Sequence, residues 1–346
     1  MSTFHTIGLM SGTSMDGVDI ALCRFTVNNN QWDWEILAAD CVDYPEVWQT
    51  RLIHLPDQNA ETFAKTDIYY GHFLGKLVRE FLSKNSPHPP VDLVSSHGQT
   101  VFHNPVKGYT VQIGSGAGIA AECGLPVVCD LRSMDMAYGG QGAPIVPMGE
   151  KHLFPQYSAF LNLGGIANIQ LHADHQVLGW DVGGANILLD TLVGERNLAY
   201  DEDGRLARAG IIDQALLQQL NSHDYFQQKL PKSLDAQWVI NQFLPRIDTS
   251  KLSLEDKLAT VVEHHAQIIG KALNEHNVKE IYVTGGGALN GFFMERIQAN
   301  NSAKIVIPEA DIVTFKEAII MAFLGLLRWQ SQPNVLSSVT GASKNS

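Results

Sequence analysis

Ile7-Gly8-Leu9-Met10-Ser11-Gly12-Thr13-Ser14-Met15-Asp16-Gly17-Val18-Asp19 is an apolar run that turns through Gly12 and Gly17 and resumes as Ile20-Ala21-Leu22-Cys23. Apolar residues on either side of a Gly/Ser/Thr/Asp cluster read as two strands joined by a tight turn. Gly12 and Gly17 allow φ values closed to other residues, and Ser11, Thr13 and Ser14 add hydroxyls beside a row of backbone N–H groups. Such a turn suits a nest for phosphate oxygens, with Asp16 placed to hold a metal ion through water. It equally describes an ordinary hairpin turn. Neither common nucleotide signature fits: no lysine follows Gly17, and a strand rather than a helix comes next.

The second half of the chain begins the same way. Ala159-Phe160-Leu161-Asn162-Leu163-Gly164-Gly165-Ile166-Ala167-Asn168-Ile169 is again strand, glycine turn, strand. Two such hairpins about one domain apart predict a duplicated core, each domain supplying one jaw of a phosphate clamp. A third strand, Gln176–Trp180, ends at Asp181-Val182-Gly183-Gly184-Ala185-Asn186. A strand-end aspartate beside glycines is where a general base belongs, although it could also cap the helix that follows. The strand Glu280–Val283 then enters Thr284-Gly285-Gly286-Gly287-Ala288-Leu289-Asn290, where three glycines let backbone lie flat against a planar ligand.

A chain of 346 residues suggests two domains. Hydrophobic content of 45% with 17% charged residues is that of a folded soluble protein, and no apolar run reaches bilayer length. The N-terminus lacks a signal peptide's basic head and apolar run, so the cytoplasm is the expected location. Four cysteines without C-x-x-C spacing argue against disulfides and zinc. A net charge of −12 without a basic run excludes a nucleic-acid track, so an anionic nucleotide must be held by local donors and a metal.

Between the hairpins, Trp32–Ala38 alternates as a third strand, and Phe73, Leu74, Leu77, Val78 and Phe81 predict a helix over 61–82. The strand Val91–Ser95 leads to His97 and Gln99, and the strand Pro126–Cys129 leads to Asp130 and Arg132. Open α/β sheets bind ligands outside such strand ends, so His97 with Gln99 could read a sugar and Arg132 could fork onto a hydroxyl or carboxylate; each could equally be a solvated side chain. Gly139-Gly140-Gln141-Gly142-Ala143-Pro144 reads as an interdomain connection. The acidic turn Tyr200-Asp201-Glu202-Asp203-Gly204 could bind a cation or simply be solvated. Ser253 caps a helix whose buried stripe includes Leu258, Val262 and Ile269, and a helix is expected over Phe315–Trp329 with Glu317 near its start.

A hairpin that grips phosphate is the habit of the actin, hexokinase and heat-shock ATPase superfamily. The wording Gly-Leu-Met-Ser-Gly-Thr-Ser-Met-Asp-Gly-Val-Asp at Gly8–Asp19 closely resembles the opening signature of the anhydro-N-acetylmuramic acid kinases. Ser-His-Gly-Gln-Thr-Val-Phe-His at Ser96–His103 resembles a segment lining that family's sugar pocket, and the likeness runs from Thr6 to Ala342. It implies an α/β, two-domain actin/hexokinase-like ATPase fold of duplicated ribonuclease-H-like domains with a cleft between them. The domains are expected at 1–135 and 136–346, with helix 314–330 near the hinge. ATP binding is expected at Gly12, Thr13, Ser14, Met15, Asp16, Gly17, Val18, Asp19, Asn162, Gly164, Gly165, Asn168, Gly285, Gly286, Gly287 and Asn290. Asp16 would hold Mg²⁺ through water. The resemblance maps the family's catalytic aspartate onto Asp181 and implies sugar contacts at His97, Gln99, Asp130, Arg132, Asn186 and Glu317.

The implied reaction is ATP-dependent opening and phosphorylation of 1,6-anhydro-N-acetylmuramic acid to N-acetylmuramic acid 6-phosphate in cell-wall recycling, by a homodimer. Alternatives are a kinase for another sugar, such as 1,6-anhydroglucose, and a non-catalytic ATP-dependent sugar sensor. Two places depart from the family wording. Val182-Gly183-Gly184-Ala185 stands where relatives commonly have Thr-Gly-Pro-Gly, and Asp235-Ala236-Gln237 stands at or near a common Gly-Arg-Glu.

Overall fold

The computed structural model describes residues 1–12, 15–173, 176–230, 232–249 and 251–346, and the chain forms two compact units: Met1–Pro155 with Phe315–Ser346, and Gln156–Thr314.

In the first unit, β1 (Ser2–Met10), β2 (Gly17–Asn28) and β3 (Gln31–Asp43) form an antiparallel meander. β4 (Leu93–Ser96) runs parallel to β1, β5 (Gln99–Asn104) and β6 (Tyr109–Ile113) make a separate hairpin, and β7 (Val127–Val128) is parallel to β4. The sheet order is β3-β2-β1-β4-β7. Ile7 and Leu9 pair across from Leu22 and Ile20, so one face of the meander is apolar. That face buries Ile7, Leu9 and Ile20 in one cluster with Tyr70, Leu74 and Val78 of the helix Ala60–Lys84. Each such side chain contributes about 1.5–3 kcal/mol. Asn59 starts this helix by accepting from Thr62 N–H at 2.9 Å.

Gly8 explains part of the opening signature. A Cβ there would run into Ala318 O and come within 2.7 Å of Ala322 N, so a bare backbone is what lets the helix segment after Phe315 lie on β1. Ser95 Oγ donates to Met321 O at 2.6 Å and fixes the same contact beside β4.

The second unit repeats the plan. β8 (Ala159–Leu163), β9 (Ala167–Ala173) and β10 (Gln176–Gly183) form the meander, β11 (Glu280–Thr284) is parallel to β8, and β12 (Lys304–Val306) is parallel to β11. The order β10-β9-β8-β11-β12 reproduces the first sheet strand for strand. Ser253 accepts from Asp256 N–H and begins the helix Leu254–Glu275, whose Leu258, Val262 and Ile269 join one core with Leu161, Ile169 and Val283.

The segment 136–155 belongs to the first unit, although the sequence reading starts the second domain at 136. Its bonds lie there: Glu150 pairs with Lys316 at 2.9 Å with both side chains buried, and Trp34 Nε1–H donates to Leu153 O at 2.9 Å. The Gly139–Pro144 loop likewise lies inside this unit, where Asp135 Oδ2 accepts from Gly142 N–H and Thr340 O accepts from Gln141 N–H.

Candidate active site

The turn between β1 and β2 is held from behind by side chains of its own unit. Gln99 Nε2–H donates to Gly12 O at 3.1 Å, Tyr44 N–H donates to Asp16 O at 2.8 Å, and Ser11 Oγ and Tyr70 OH share a 2.7 Å bond. Tyr44 OH bonds Tyr70 OH and donates to Gln99 Oε1 at 3.4 Å. Met15 takes the left-handed conformation, φ 54°, and its N–H donates to Gly12 O at 3.4 Å. Thr13 and Ser14 lie outside the described residues. Val18 is wholly buried in the core and has only its backbone to offer a nucleotide. Burial raises the Asp19 carboxyl above its usual range and the charge of Asp16 adds to this, against a bond from the Cys41 thiol.

The two strand ends beyond β4 and β7 meet. Arg132 donates from Nε and NH2 to His97 Nε2, at 3.0 and 2.8 Å, and from NH1 to Gly142 O at 2.7 Å. His97 Nδ1–H in turn donates to Gly98 O at 2.7 Å, which sets the tautomer. Burial and then the Arg132 charge hold the His97 pKa down at about 3, so the ring is neutral. Burial lowers the Arg132 pKa to about 10, opposed by the charge of Glu317. Glu317 is itself raised by burial, with Lys316 and Arg132 pulling the other way.

Several expected roles change. Both ring nitrogens of His97 are occupied, Nδ1 by Gly98 O and Nε2 by the Arg132 guanidinium. Gln99 is 1% exposed and its amide is committed to the loop. Asp130 does not pair with Arg132: it is exposed, sits at φ 55° and accepts from Ser133 N–H at 3.2 Å. Asp135, not singled out from sequence, is fully buried and accepts from Thr340 Oγ1 at 2.7 Å, binding the glycine loop to the C-terminal segment.

In the second unit, the β8–β9 turn is capped by the start of the helix Ala185–Val193. Asn186 N–H donates to Gly164 O at 3.3 Å, Ile187 N–H to Gly165 O at 3.0 Å, and Asn186 Nδ2 to Leu163 O at 3.0 Å. The triple-glycine loop packs on the same turn. Gly285 has φ 85° and a Cβ there would lie 2.5 Å from Asn162 Oδ1; one at Gly287 would lie 2.8 Å from Leu163 Cβ. Gly286 is exposed and a Cβ would approach nothing nearer than Asn186 Nδ2 at 3.9 Å. Gly164 and Gly165 are similarly open, their nearest atoms at 3.8 Å. Asn290 caps the helix Gly291–Ala299 by accepting from Phe293 N–H at 3.0 Å.

Asp181 is held on both oxygens. Oδ1 accepts from Asn168 Nδ2 at 3.0 Å and Oδ2 from Leu234 N–H at 2.8 Å, while Asn168 Oδ1 accepts from Gln170 Nε2 at 3.2 Å. Its backbone is fixed by Tyr225 OH, which donates to Asp181 O at 2.6 Å. Burial raises its pKa against these two bonds. A carboxylate oxygen has about two acceptor sites, so each keeps one for a water proton. Asp181 is not the N-cap of the next helix; Gly184 is. The acidic turn 201–204 is spent on capping: Asp201 accepts from Leu206 and Ala207 N–H, and Asp203 from Gly291 N–H.

Two copies of one five-stranded plan, each opened by a glycine turn between its first two strands, define a two-domain ATPase fold of the actin/hexokinase kind. Solved structures share it. One is component A of the Acidaminococcus fermentans (R)-2-hydroxyglutaryl-CoA dehydratase, at TM-score 0.51 and 12% identity, covering 94% of this chain and 98% of that one. Another is the Clostridium difficile activator of 2-hydroxyisocaproyl-CoA dehydratase, solved with bound ADPNP, at TM-score 0.50 and 11% identity, covering 95% and 96%.

The chain belongs to the anhydro-N-acetylmuramic acid kinase family, whose family model matches residues 4–346. Relatives bearing that name include one from Shewanella denitrificans, 36% identical over 359 residues that cover 99% of this chain and 96% of the relative. One from Aliivibrio fischeri is 37% identical over 363 residues, covering 98% and 96%.

Proposed function

We propose that the protein is an ATP-dependent kinase that opens the 1,6-anhydro bridge of 1,6-anhydro-N-acetylmuramic acid with water and phosphorylates O6, giving N-acetylmuramic acid 6-phosphate and ADP in cell-wall recycling. The observation that carries this reading is Asp181: a largely buried carboxylate, oriented by Asn168 and Leu234 and raised in pKa, with acceptor sites to spare. In that role it takes a proton from water as the water's oxygen bonds to the anomeric carbon. The C1–O6 bond breaks, and O6 accepts the γ-phosphoryl group.

The residues fit a nucleotide. Gly164, Gly165 and Gly286 present open backbone where a Cβ would meet no protein atom closer than 3.8 Å, the cradle that phosphates and a planar base require. Magnesium fits the donor chemistry as well. Asp16 and Asp19 are coupled carboxylates at the first turn, and among the described residues no group of three metal-ligating side chains gathers. Mg²⁺ sites in kinases commonly use one or two carboxylates, leaving the remaining positions to phosphate and water. The bound ion would neutralise charge on the transferring phosphoryl group. Arg132 spends three of its five N–H groups on His97 and Gly142, and the remaining two suit a hydroxyl or the lactyl carboxylate of the sugar. His97 keeps that fork oriented.

The same reading takes the protein as a cytoplasmic homodimer; among the described residues no helix is long and apolar enough to cross a membrane. Light scattering on the purified chain tests the dimer. The function is tested by incubation with Mg-ATP and the anhydro sugar: ADP and phosphorylated, ring-opened sugar should appear in equal amounts. ADP release that ignores the sugar would refute it.

A further inference from the structure

A cavity of about 290 Å³ opens in the second unit beside β10, lined by the residues on either side of Asp181. Trp180 and Val182, the immediate neighbours of Asp181, both line it, where the register of β10 shifts between Asp181 and Gly183. The cavity is near the small end of ligand sites, about 300–1,000 Å³. Phe226 and Ile268 extend its apolar floor, and the His276 ring stands 5.1 Å from the Trp180 ring.

Its rim is cationic in a chain of net charge −12. Lys229, Lys232 and Lys271 converge there, with Glu275 the one opposing carboxylate among the described residues that line it, 3.7 Å from Lys271. Lys232 Nζ donates to Tyr225 O at 3.3 Å and lies 4.7 Å over the Tyr225 ring, which leaves two of its three protons for a ligand. An aromatic floor under three ammonium groups suits a small organic anion that carries a ring.

The segment bearing Lys232 also holds Asp181. Lys232 O accepts from Asp181 N–H at 3.4 Å, Leu234 N–H donates to the Asp181 carboxylate, and Tyr225, whose carbonyl takes the Lys232 ammonium, donates its hydroxyl to Asp181 O. Whatever occupies the cavity therefore touches the neighbours of Asp181 on its own strand and the segment that clamps it.

We propose that this cavity is a second ligand site, for a ring-bearing phosphate monoester or carboxylate, and that its occupancy is felt at Asp181. A bound anion draws Lys232 away from Tyr225 and with it the segment whose Tyr225 hydroxyl and Leu234 N–H hold Asp181, so the base is less well oriented and turnover falls. The site itself does not depend on the kinase assignment; its effect on turnover does.

Phenyl phosphate serves as the probe, with inorganic phosphate and phenol as its two halves, in calorimetry on the full chain without substrates. Binding should weaken tenfold or more for either half, for the Lys229→Gln/Lys271→Gln variant, and for Ala272→Phe, which fills the cavity from the helix Leu254–Glu275. In the wild-type enzyme, saturating probe should lower kcat about threefold or more, with a mixed pattern against both ATP and sugar. Absence of binding at about 10 mM probe, binding unchanged in both variants, or inhibition purely competitive with one substrate would each overturn the proposal. Calorimetry reads the site without turnover, so a failed kinase assay leaves that arm intact.

Discussion

Asp181→Asn separates what the carboxylate does for the fold from what it does for the reaction. Its two oxygens each accept from a donor, Asn168 Nδ2 on one side and Leu234 N–H on the other. An asparagine can offer oxygen to only one of them, so its NH₂ must face a donor whichever way it turns. Flipping Asn168 alone does not repair this, because Asn168 Oδ1 accepts from Gln170 Nε2, and a joint flip with Gln170 only moves the unpaired NH₂ to the buried place where Gln170 Oε1 now stands without a partner among the described residues. A part-buried donor without an acceptor costs about 1–3 kcal/mol. In a unit of this size that lowers Tm by about 2–12 °C. Loss of the base should cost about 10²–10⁴ in turnover. The double variant Asn168→Asp/Asp181→Asn restores complementarity. The carboxylate introduced at position 168 would accept from both Gln170 and the new amide at position 181, and the oxygen of that amide would accept from Leu234 N–H. It should recover most of the lost Tm and none of the lost turnover. Calorimetric melting and product formation are the assays. An unchanged Tm in the single variant would refute the two-donor clamp, and turnover within tenfold of wild type would refute the base.

Gly286→Val should fold normally and lose nucleotide affinity, because its Cβ meets only open space. Gly285→Ala should instead destabilise the protein by about 1–3 kcal/mol, because its backbone, φ 85° and ψ 160°, lies in a region open essentially to glycine alone, with overlap against Asn162 Oδ1 in addition; equal affinity loss in two stably folded variants would contradict the packing. Asp16→Asn should reduce turnover in a way that added Mg²⁺ partly offsets, and a defect indifferent to Mg²⁺ with normal ATP binding would make Asp16 structural. His265 is fully buried, neither ring nitrogen has a bonding partner among the described residues, and burial lowers its pKa to about 3. The unfolded chain takes up this proton near pH 6.5 and the folded one does not, so the stability it permits at neutral pH is lost as pH falls from there toward 3, by about 2 kcal/mol at pH 5. His265→Leu should remove that part of the acid sensitivity; denaturant melts at pH 7 and pH 5 that shift in parallel for both proteins would show otherwise.

The two glycine hairpins and the triple-glycine loop were legible in the sequence because their chemistry is local: small residues and hydroxyls between apolar runs. The position of Asp181 was legible for the same reason. Its second donor was not, since Leu234 lies 53 residues on and offers a backbone N–H that any residue would carry. Gln99 was read toward the sugar as a polar residue near a strand end, and Asn186 from the family resemblance. Each in fact gives its amide to a backbone carbonyl, Gly12 O and Leu163 O, and a carbonyl leaves no mark in a sequence. His97 and Arg132 were singled out separately, and their mutual bond appears only once β4 and β7 lie side by side. Asp135 escaped notice because its partners, Gly142 and Thr340, are joined to it by packing alone.

Turnover in ¹⁸O-labelled water tests the proposed chemistry most directly. If Asp181 activates water at the anomeric carbon, the label enters the C1 hydroxyl of the sugar and none enters the transferred phosphoryl group, whose acceptor is the sugar's own O6. Mass spectrometry of the product, taken before the anomers exchange, reads the outcome. Label in the phosphoryl group, or an unlabelled sugar whose bridge remains closed, would contradict the account.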